Sequence, residues 1–371
     1  MKPVFIVAAK RTLVSPRHGR WKATKTEDLM APVLKALVEP LGQRSWPQEV
    51  ILGNALYGGG NPARLTALAA GFPRHVYAST LDTQCCSGLD AITLGVSKIA
   101  AGKAEVIVAG GVESYSRSPI RQHRALDIGQ PHIEYQRPPF TPWPDRDPDL
   151  LQAAAQLAAQ YGVTRDAQEQ FACESHAKAR AASFQGELVA LDQSARDDFT
   201  RDLTSSICRR LPLLAGDTAS GLTSATVAVE ADAAAGVLLM SSDACERFGV
   251  ASVARVAGFR QLGGDPEHPI LAGIEPAKAL LASLEEGVSV AEIMESFAVQ
   301  AMLWRHALGI DDQVMNRGGG ALARGHPIGA SGAILLVRLF HELKRESVGA
   351  SGVAAIAAAG GLGSAILLQR C

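Results

Sequence analysis

Two adjacent cysteines, Cys85 and Cys86, precede a Ser-Gly pair in the run TQCCSGLDA at residues 83–91. A possible strand over 75–82 ends just before them, and residues 86–101 read as a helix. A thiol at such a junction sees unpaired N–H groups at the helix N-terminus, which favour negative charge. That setting lowers a cysteine pKa and makes a thiolate available near neutral pH. The alternative is a small buried hydrophobe, the ordinary place of a free cysteine. A second stretch, GGGALARGHPIGASGA at 318–333, holds His326 between Gly325 and Pro327. Pro327 fixes the backbone beside the imidazole, and a positioned histidine near a thiol is the base that activates it. The glycines let backbone come close to a ligand. A phosphate cradle is another use of such a loop, but neither G-x-x-x-x-G-K-[ST] nor G-x-G-x-x-G after the first strand is present. A third stretch, AAAGGLG at 357–363, predicts a sharp turn whose N–H groups can stabilise an oxyanion, with an ordinary hairpin as the alternative.

The elements that must carry these groups alternate. Residues 3–8 and 49–54 read as strands, 27–39 and 62–71 as helices, and 104–110 as another apolar strand. Residues 119–150 are proline-rich and aperiodic, which predicts a long surface excursion. Residues 150–185 return to helix and 253–261 to strand. The order then repeats: helix 275–286, strand 291–295, helix 298–307, a Gly-rich turn at 316–320, helix 330–345 and paired strands at 352–358 and 363–369. Two similar halves around an insertion suggest an internal duplication.

Length and composition agree with an α/β protein. The chain has 371 residues, enough for two to three domains and a large core. Hydrophobic residues make up 47% and aromatics only 5%, which suits a buried sheet under close-packed helices. A net charge of −1 gives no reason to expect nucleic acid or an anionic membrane as partner. The six cysteines show no C-x-x-C pair and no metal-ligand spacing, so free thiols in a reducing compartment are expected. The longest uncharged run, 352–368, is short for a membrane span and is broken by GGLG. A cytoplasmic protein is expected.

Taken together and in this order, the three stretches resemble the thiolase family, with its C-x-S-G, G-H-P-x-G-A-S-G and C-x-G-G-G-x-G motifs. IVAAKRT at 6–12, EVILGNAL at 49–56, NPAR at 61–64, VIVAGGVESYSRSP at 106–119 and ADAAAGVLLMS at 231–241 extend the likeness over the whole chain. The resemblance implies a duplicated five-layer α-β-α-β-α fold with an inserted loop domain. Carried onto this sequence, the first half spans 1–118 plus 226–267, the insertion 119–225 and the second half 268–371. It implies a homodimer or homotetramer that binds acyl-coenzyme A as substrate, with no permanently bound cofactor and no metal. It makes Cys85 the nucleophile that takes the acyl group as a thioester, His326 its base, and the N–H groups of Cys85 and Ala359 an oxyanion hole. Cys86 falls at the variable position. Gly325, Gly360 and Ser331 are the implied substrate contacts.

The departures bear on the second half of the reaction. The family's second cysteine, its acid/base at the α-carbon, reads Ala357 here, and the family's N-E-x-F reads Met294-Glu295-Ser296-Phe297. The Asn of that motif holds an oxyanion water, which Met294 cannot hold in the same way. A third motif, T-A-x-N-x-S, reads Thr223-Ser224-Ala225-Thr226-Val227-Ala228. Cys86, Glu295 and His326 are the candidates to replace the missing base. Three functions follow: acyl transfer to Cys85 and then Claisen condensation or its thiolytic reverse; acyl transfer to water, an amine, an alcohol or a carrier thiol; or a weak or inactive subunit with an accessory partner. Retention of Cys85 together with the whole His326 loop argues against the last.

Overall fold

Strands buried on both faces must be apolar along their whole length, and the centre of this molecule is built from such strands. The computed structural model describes residues 2–42, 45–191 and 194–371. The chain opens with β1 (Val4–Arg11), β2 (Ser15–Pro16), α1 (Thr26–Val38), β3 (Glu49–Gly53), α2 (Pro62–Ala69), β4 (Tyr77–Leu81), α3 (Ser87–Ala100) and β5 (Val106–Ser114). A long excursion follows with β6 (Arg121–His123), β7 (Ile133–Tyr135), α4 (Leu150–Gln160), α5 (Arg165–Ala181), α6 (Ser205–Cys208), β8 (Leu213–Ala215) and β9 (Leu222–Thr223). The chain returns through β10 (Ala231–Ser241) and α7 (Ser242–Phe248). The remainder is β11 (Ala254–Gly263), α8 (Ile274–Leu281), β12 (Val290–Ile293), α9 (Ala298–Leu308), α10 (Ala321–Arg324), α11 (Ile328–Leu343), β13 (Ser351–Ala358) and β14 (Leu362–Arg370).

The duplication is visible in the pairing. One ten-stranded sheet has two parts, β4-β3-β5-β10-β1, with β2 beside β10, and β12-β13-β14-β11. In the first, β3 and β5 are parallel while β5, β10 and β1 are antiparallel neighbours; in the second, β12 and β13 are parallel while β13, β14 and β11 are antiparallel. The two parts meet where β1 touches β11 at Phe5↔Arg255 and Ile6↔Ala254. Beyond those two pairs β11 pairs with β14 along its whole length, while Gln261 of β11 bonds Asp90 and Thr93 of α3.

Side chains alternate across each strand. Ile107 and Ala109 of β5 face a central core with α3 and α11, while Val106 and Val108 face α1 and α2. In β13, Ala354 and Ile356 face the central core, and Val353 and Ala355 face α8 and α9. The result is five layers, α-β-α-β-α, with α3 and α11 in the middle.

Those two helices touch backbone to backbone. A Cβ on Gly88 would lie 2.8 Å from Gly329 O, and one on Gly332 would lie 2.7 Å from Leu89 N. The insertion is tied to this centre by buried charge. Arg11 pairs with Glu187 and, at 2.6 Å, with Asp197, while Arg338 of α11 pairs with Glu187 and Glu342. Burial pushes the Glu187 carboxyl up, but the two guanidiniums outweigh it and hold the group at about 2.

Two expectations change. The helix expected over 150–185 is two helices, because Gly162 takes φ 64° and Thr164 caps α5 by accepting from Ala167 N at 3.2 Å. The helix expected over 275–286 ends at Leu281.

Gly332→Ala tests the central contact by its sign. Helix propensity alone would stabilise the variant by about 0.5–1 kcal/mol. The close approach predicts instead a loss of about 1–3 kcal/mol in chemical denaturation.

Candidate active site

Cys85 sits on a single tight turn between β4 and α3. Gln84 before it takes φ 56°, a left-handed conformation that is costly for a residue with a side chain. Its N–H donates to Asp82 Oδ1 at 2.8 Å, and the Thr83 N–H donates to Ser87 Oγ at 2.9 Å. The turn therefore holds Cys85 at the mouth of α3. Cys86, the next residue, points into the core, where its sulfur lies 3.8 Å from Ile356 O and 3.9 Å from Leu362 O.

His326 arrives from the other half. Gly325 takes φ 113°, a conformation open to glycine, and the His326 N–H donates to Val229 O at 2.8 Å. Its Nε2 lies 3.3 Å from Cys85 Sγ. Its Nδ1 lies 2.6 Å from Ser331 Oγ, and that hydroxyl donates to Pro327 O at 3.0 Å. A serine hydroxyl has one hydrogen, so hydrogen-bond accounting makes Nδ1–H the donor to Ser331 and leaves the Nε2 lone pair facing the thiol. That is the tautomer a base needs.

Burial opposes charge on both members of the pair. Burial pushes the Cys85 thiol up to about 12, although N–H groups of Ala359 and of Cys85 itself pull the other way. Burial pushes His326 down to about 4. Against the expected low-pKa thiolate, loss of water and the nearby Glu113 and Asp82 oppose a charged Cys85 and favour a neutral thiol beside a neutral imidazole.

Glu113, at the end of β5, carried no assigned role in the sequence reading. Its buried carboxylate accepts from Asn54 Nδ2 at 2.9 Å, Ala55 N at 2.9 Å, Leu56 N at 3.3 Å and Gly329 N at 3.0 Å. It joins the loop after β3 to the first turn of α11, three residues from His326. Burial pushes its pKa up to about 7 against those donors. An acidic residue inside a wholly buried apolar strand was the available signal.

A cavity of about 140 Å³ opens on Cys85 and His326. Leu150 of the insertion, Val227, Pro269, Ile270, Phe297 and the Ala357–Ala359 backbone form much of its wall. Ala357 brings only a methyl group. Met294 is in the central core and is 1% exposed. Glu295 is already engaged, accepting from Ser175 Oγ at 2.8 Å, Leu322 N at 3.2 Å and Asn316 Nδ2 at 2.6 Å. Of the three candidate replacement bases, only His326 faces the cavity. Ser331 stands behind His326, and Gly325 and Gly360 take left-handed turns at φ 113° and φ 80°. Thr223 and Thr226 spend their hydroxyls on their own turn. Among the described residues no cluster of three His, Cys, Asp or Glu could hold a metal ion, and no helix is long and apolar enough to cross a membrane.

Comparison with known proteins gives one answer. Residues 4–243 match the family model "Thiolase, N-terminal domain" and residues 250–370 match "Thiolase, C-terminal domain". The chain is 38% identical over 375 residues to "Putative acetyl-CoA C-acetyltransferase YhfS" of Bacillus subtilis (strain 168), with 98% of each chain covered. It is 34% identical over 393 residues to "Putative acetyl-CoA C-acetyltransferase VraB" of Staphylococcus aureus (strain MRSA252), with 100% of each covered. Its fold is similar to the crystal structure of the Bacillus anthracis acetyl-CoA acetyltransferase, with TM-score 0.91, 30% identity and coverage of 100% and 99%. It is similar to the Acat5 thiolase from Ascaris suum in complex with coenzyme A, with TM-score 0.91, 28% identity and full coverage of both.

The neutral resting pair has a direct readout. Alkylation of Cys85 by iodoacetamide, followed by peptide mass, should keep rising up to pH about 10, because the thiol has not finished ionising there. A plateau near neutral pH would show a preformed thiolate.

Proposed function

The chain belongs to the thiolase family, and on that premise we propose that it is an acyl-CoA acyltransferase that carries the acyl group on Cys85. The observation that carries this reading is the 3.3 Å approach of His326 Nε2 to the Cys85 sulfur, in a cavity whose wall includes Ala359. As sulfur attacks the thioester carbonyl, its proton passes to Nε2 and the carbonyl oxygen becomes an anion facing the Ala359 N–H. When the intermediate collapses, the carbon–sulfur bond to coenzyme A breaks and the departing thiolate takes the proton from His326. Acyl-Cys85 and a neutral imidazole remain.

The second half uses the same base. In the cleavage direction, Cys85 attacks the ketone of a 3-ketoacyl-CoA and the carbon–carbon bond breaks. The departing α-carbon needs one proton, and His326 holds the one it took from Cys85. In the condensing direction the steps reverse. A single histidine therefore closes the proton balance without a second cysteine. The names of the relatives favour acetyl-CoA as the acyl donor or product. The loss of a dedicated acid/base at Ala357 is expected to slow the carbon–carbon step by about 10²–10⁴-fold relative to a site that has one.

A second reading has its own observation. Ala357 offers no proton carrier and Met294 no oxyanion donor, while the groups for acyl transfer are all present. Transfer to a non-carbon acceptor such as water, an amine or a carrier thiol needs only those groups. In both readings the working form is taken as a homo-oligomer in the cytoplasm. The insertion at 119–225 shapes the pocket by supplying Leu150.

Intact-protein mass after mixing with acetyl-CoA should show one added acetyl group, absent in Cys85→Ala. His326→Ala should slow that addition by about 10²–10⁴-fold. Ser331→Ala, which leaves Nδ1–H without its partner, should slow it by about tenfold. Acetylation of Cys85→Ala at the wild-type rate would place the nucleophile elsewhere.

A further inference from the structure

Tyr115 lies in the walls of two cavities. One is the cavity of about 140 Å³ that holds Cys85 and His326. The other is larger, about 460 Å³, and is lined by Arg17, Arg121, Tyr135, Arg137 and Glu230 among others. The backbone that carries Tyr115 is pinned on both sides. Glu113, two residues earlier, accepts the four N–H bonds described above. Ser116, the next residue, gives its hydroxyl to Asp232 Oδ2 at 2.5 Å and its N–H to Asp232 Oδ1 at 3.0 Å. Ser118 Oγ donates to Tyr115 O at 2.9 Å. The turn that carries the ring is thus held in place.

Size gives the wall a consequence. A cavity of about 150 Å³ holds a six-carbon ring such as benzene. The space beside Cys85 is no larger and must also receive the thioester end of the coenzyme A arm. An acyl chain extending towards the arginine-bearing cavity would have to pass the tyrosine ring, which lines both spaces. The space behind the ring is charged. Arg17 is paired with Glu230 at 2.8 Å and Arg137 with Asp147 at 2.9 Å. Arg121 donates to Ala55 O at 3.0 Å, and its charge also acts on Asp82. A guanidinium with open donors suits a carboxylate.

We propose that Tyr115 is the specificity-determining partition of this site: its ring confines the acyl group on Cys85 to short chains and closes off an arginine-bearing cavity that otherwise fits the carboxylate end of a longer acyl chain. This rests on the reading of Cys85 as the acylated thiol. It concerns the bulk of the ring, and the phenol hydroxyl is not needed for it.

The test measures the rate of Cys85 acylation by intact mass with acetyl-CoA and with adipyl-CoA, in wild type, Tyr115→Phe and Tyr115→Ala. Wild type and Tyr115→Phe should both favour acetyl, with similar ratios. Tyr115→Ala should raise the adipyl-to-acetyl ratio by about tenfold or more, the size of effect that pocket volume exerts on discrimination. Tyr115→Leu carries the same test if the alanine variant does not fold. An unchanged ratio in the shortened variants overturns the partition, as does a shift in Tyr115→Phe as large as theirs. Acetylation of the wild type in either of those cases keeps the Cys85 reading intact. Failure of acetyl-CoA to label any of the proteins overturns that reading and the partition with it.

Discussion

The backbone contact between α3 and α11 at Gly88 and Gly332 sets where everything else goes. Each helix is buried between the two parts of the sheet, and each begins directly after a residue that matters: Cys85 before α3, His326 before α11. With no side chains between them, the two helix starts come close enough for sulfur and imidazole to sit 3.3 Å apart. Glu113 fixes the same arrangement from the first part of the sheet by holding Gly329, next to the histidine loop. The duplicated fold thus supplies one member of the Cys85–His326 pair from each half, and the glycine contact sets their separation.

That geometry comes with dehydration, and dehydration decides the protonation states. Burial favours the neutral form of both groups. The proton stays on sulfur until a thioester arrives, then moves over one hydrogen bond. Such a pair needs a fixed tautomer more than a field, and Ser331 supplies it. The loss of a second cysteine at Ala357 is then a loss of speed in one half-reaction, while the first half-reaction keeps all its parts.

Much of this was legible in the residues. The C-x-S-G and G-H-P-I-G-A-S-G runs pointed to Cys85 and His326, and the apolar runs located most strands because buried strands need little else. What escaped depends on contacts distant in sequence. The central strand β10 contains ADAAAG, poor in β-branched and aromatic residues; it is a strand because β1 and β5 pair with it on both sides. Glu113 was visible as an acid in an apolar strand, but its partners come from residues 54–56 and 329. The bond from Ser331 to the back of His326 is a further example: it depends on the helix placing Ser331 four residues after Pro327, which spacing in a Gly-rich loop does not reveal. The upward push on the Cys85 pKa follows from burial, which local spacing does not encode.

The central claim is that one histidine serves both the sulfur and the carbon. The direct measurement is a single turnover: the protein mixed with an equal amount of acetoacetyl-CoA and no free coenzyme A, followed by intact mass and by chromatography of the small molecules. The account predicts one acetyl group on Cys85 and a matching amount of acetyl-CoA released. Acetylation of Cys85 by acetyl-CoA, with acetoacetyl-CoA left uncleaved, would contradict it and show that His326 does not protonate the departing carbon.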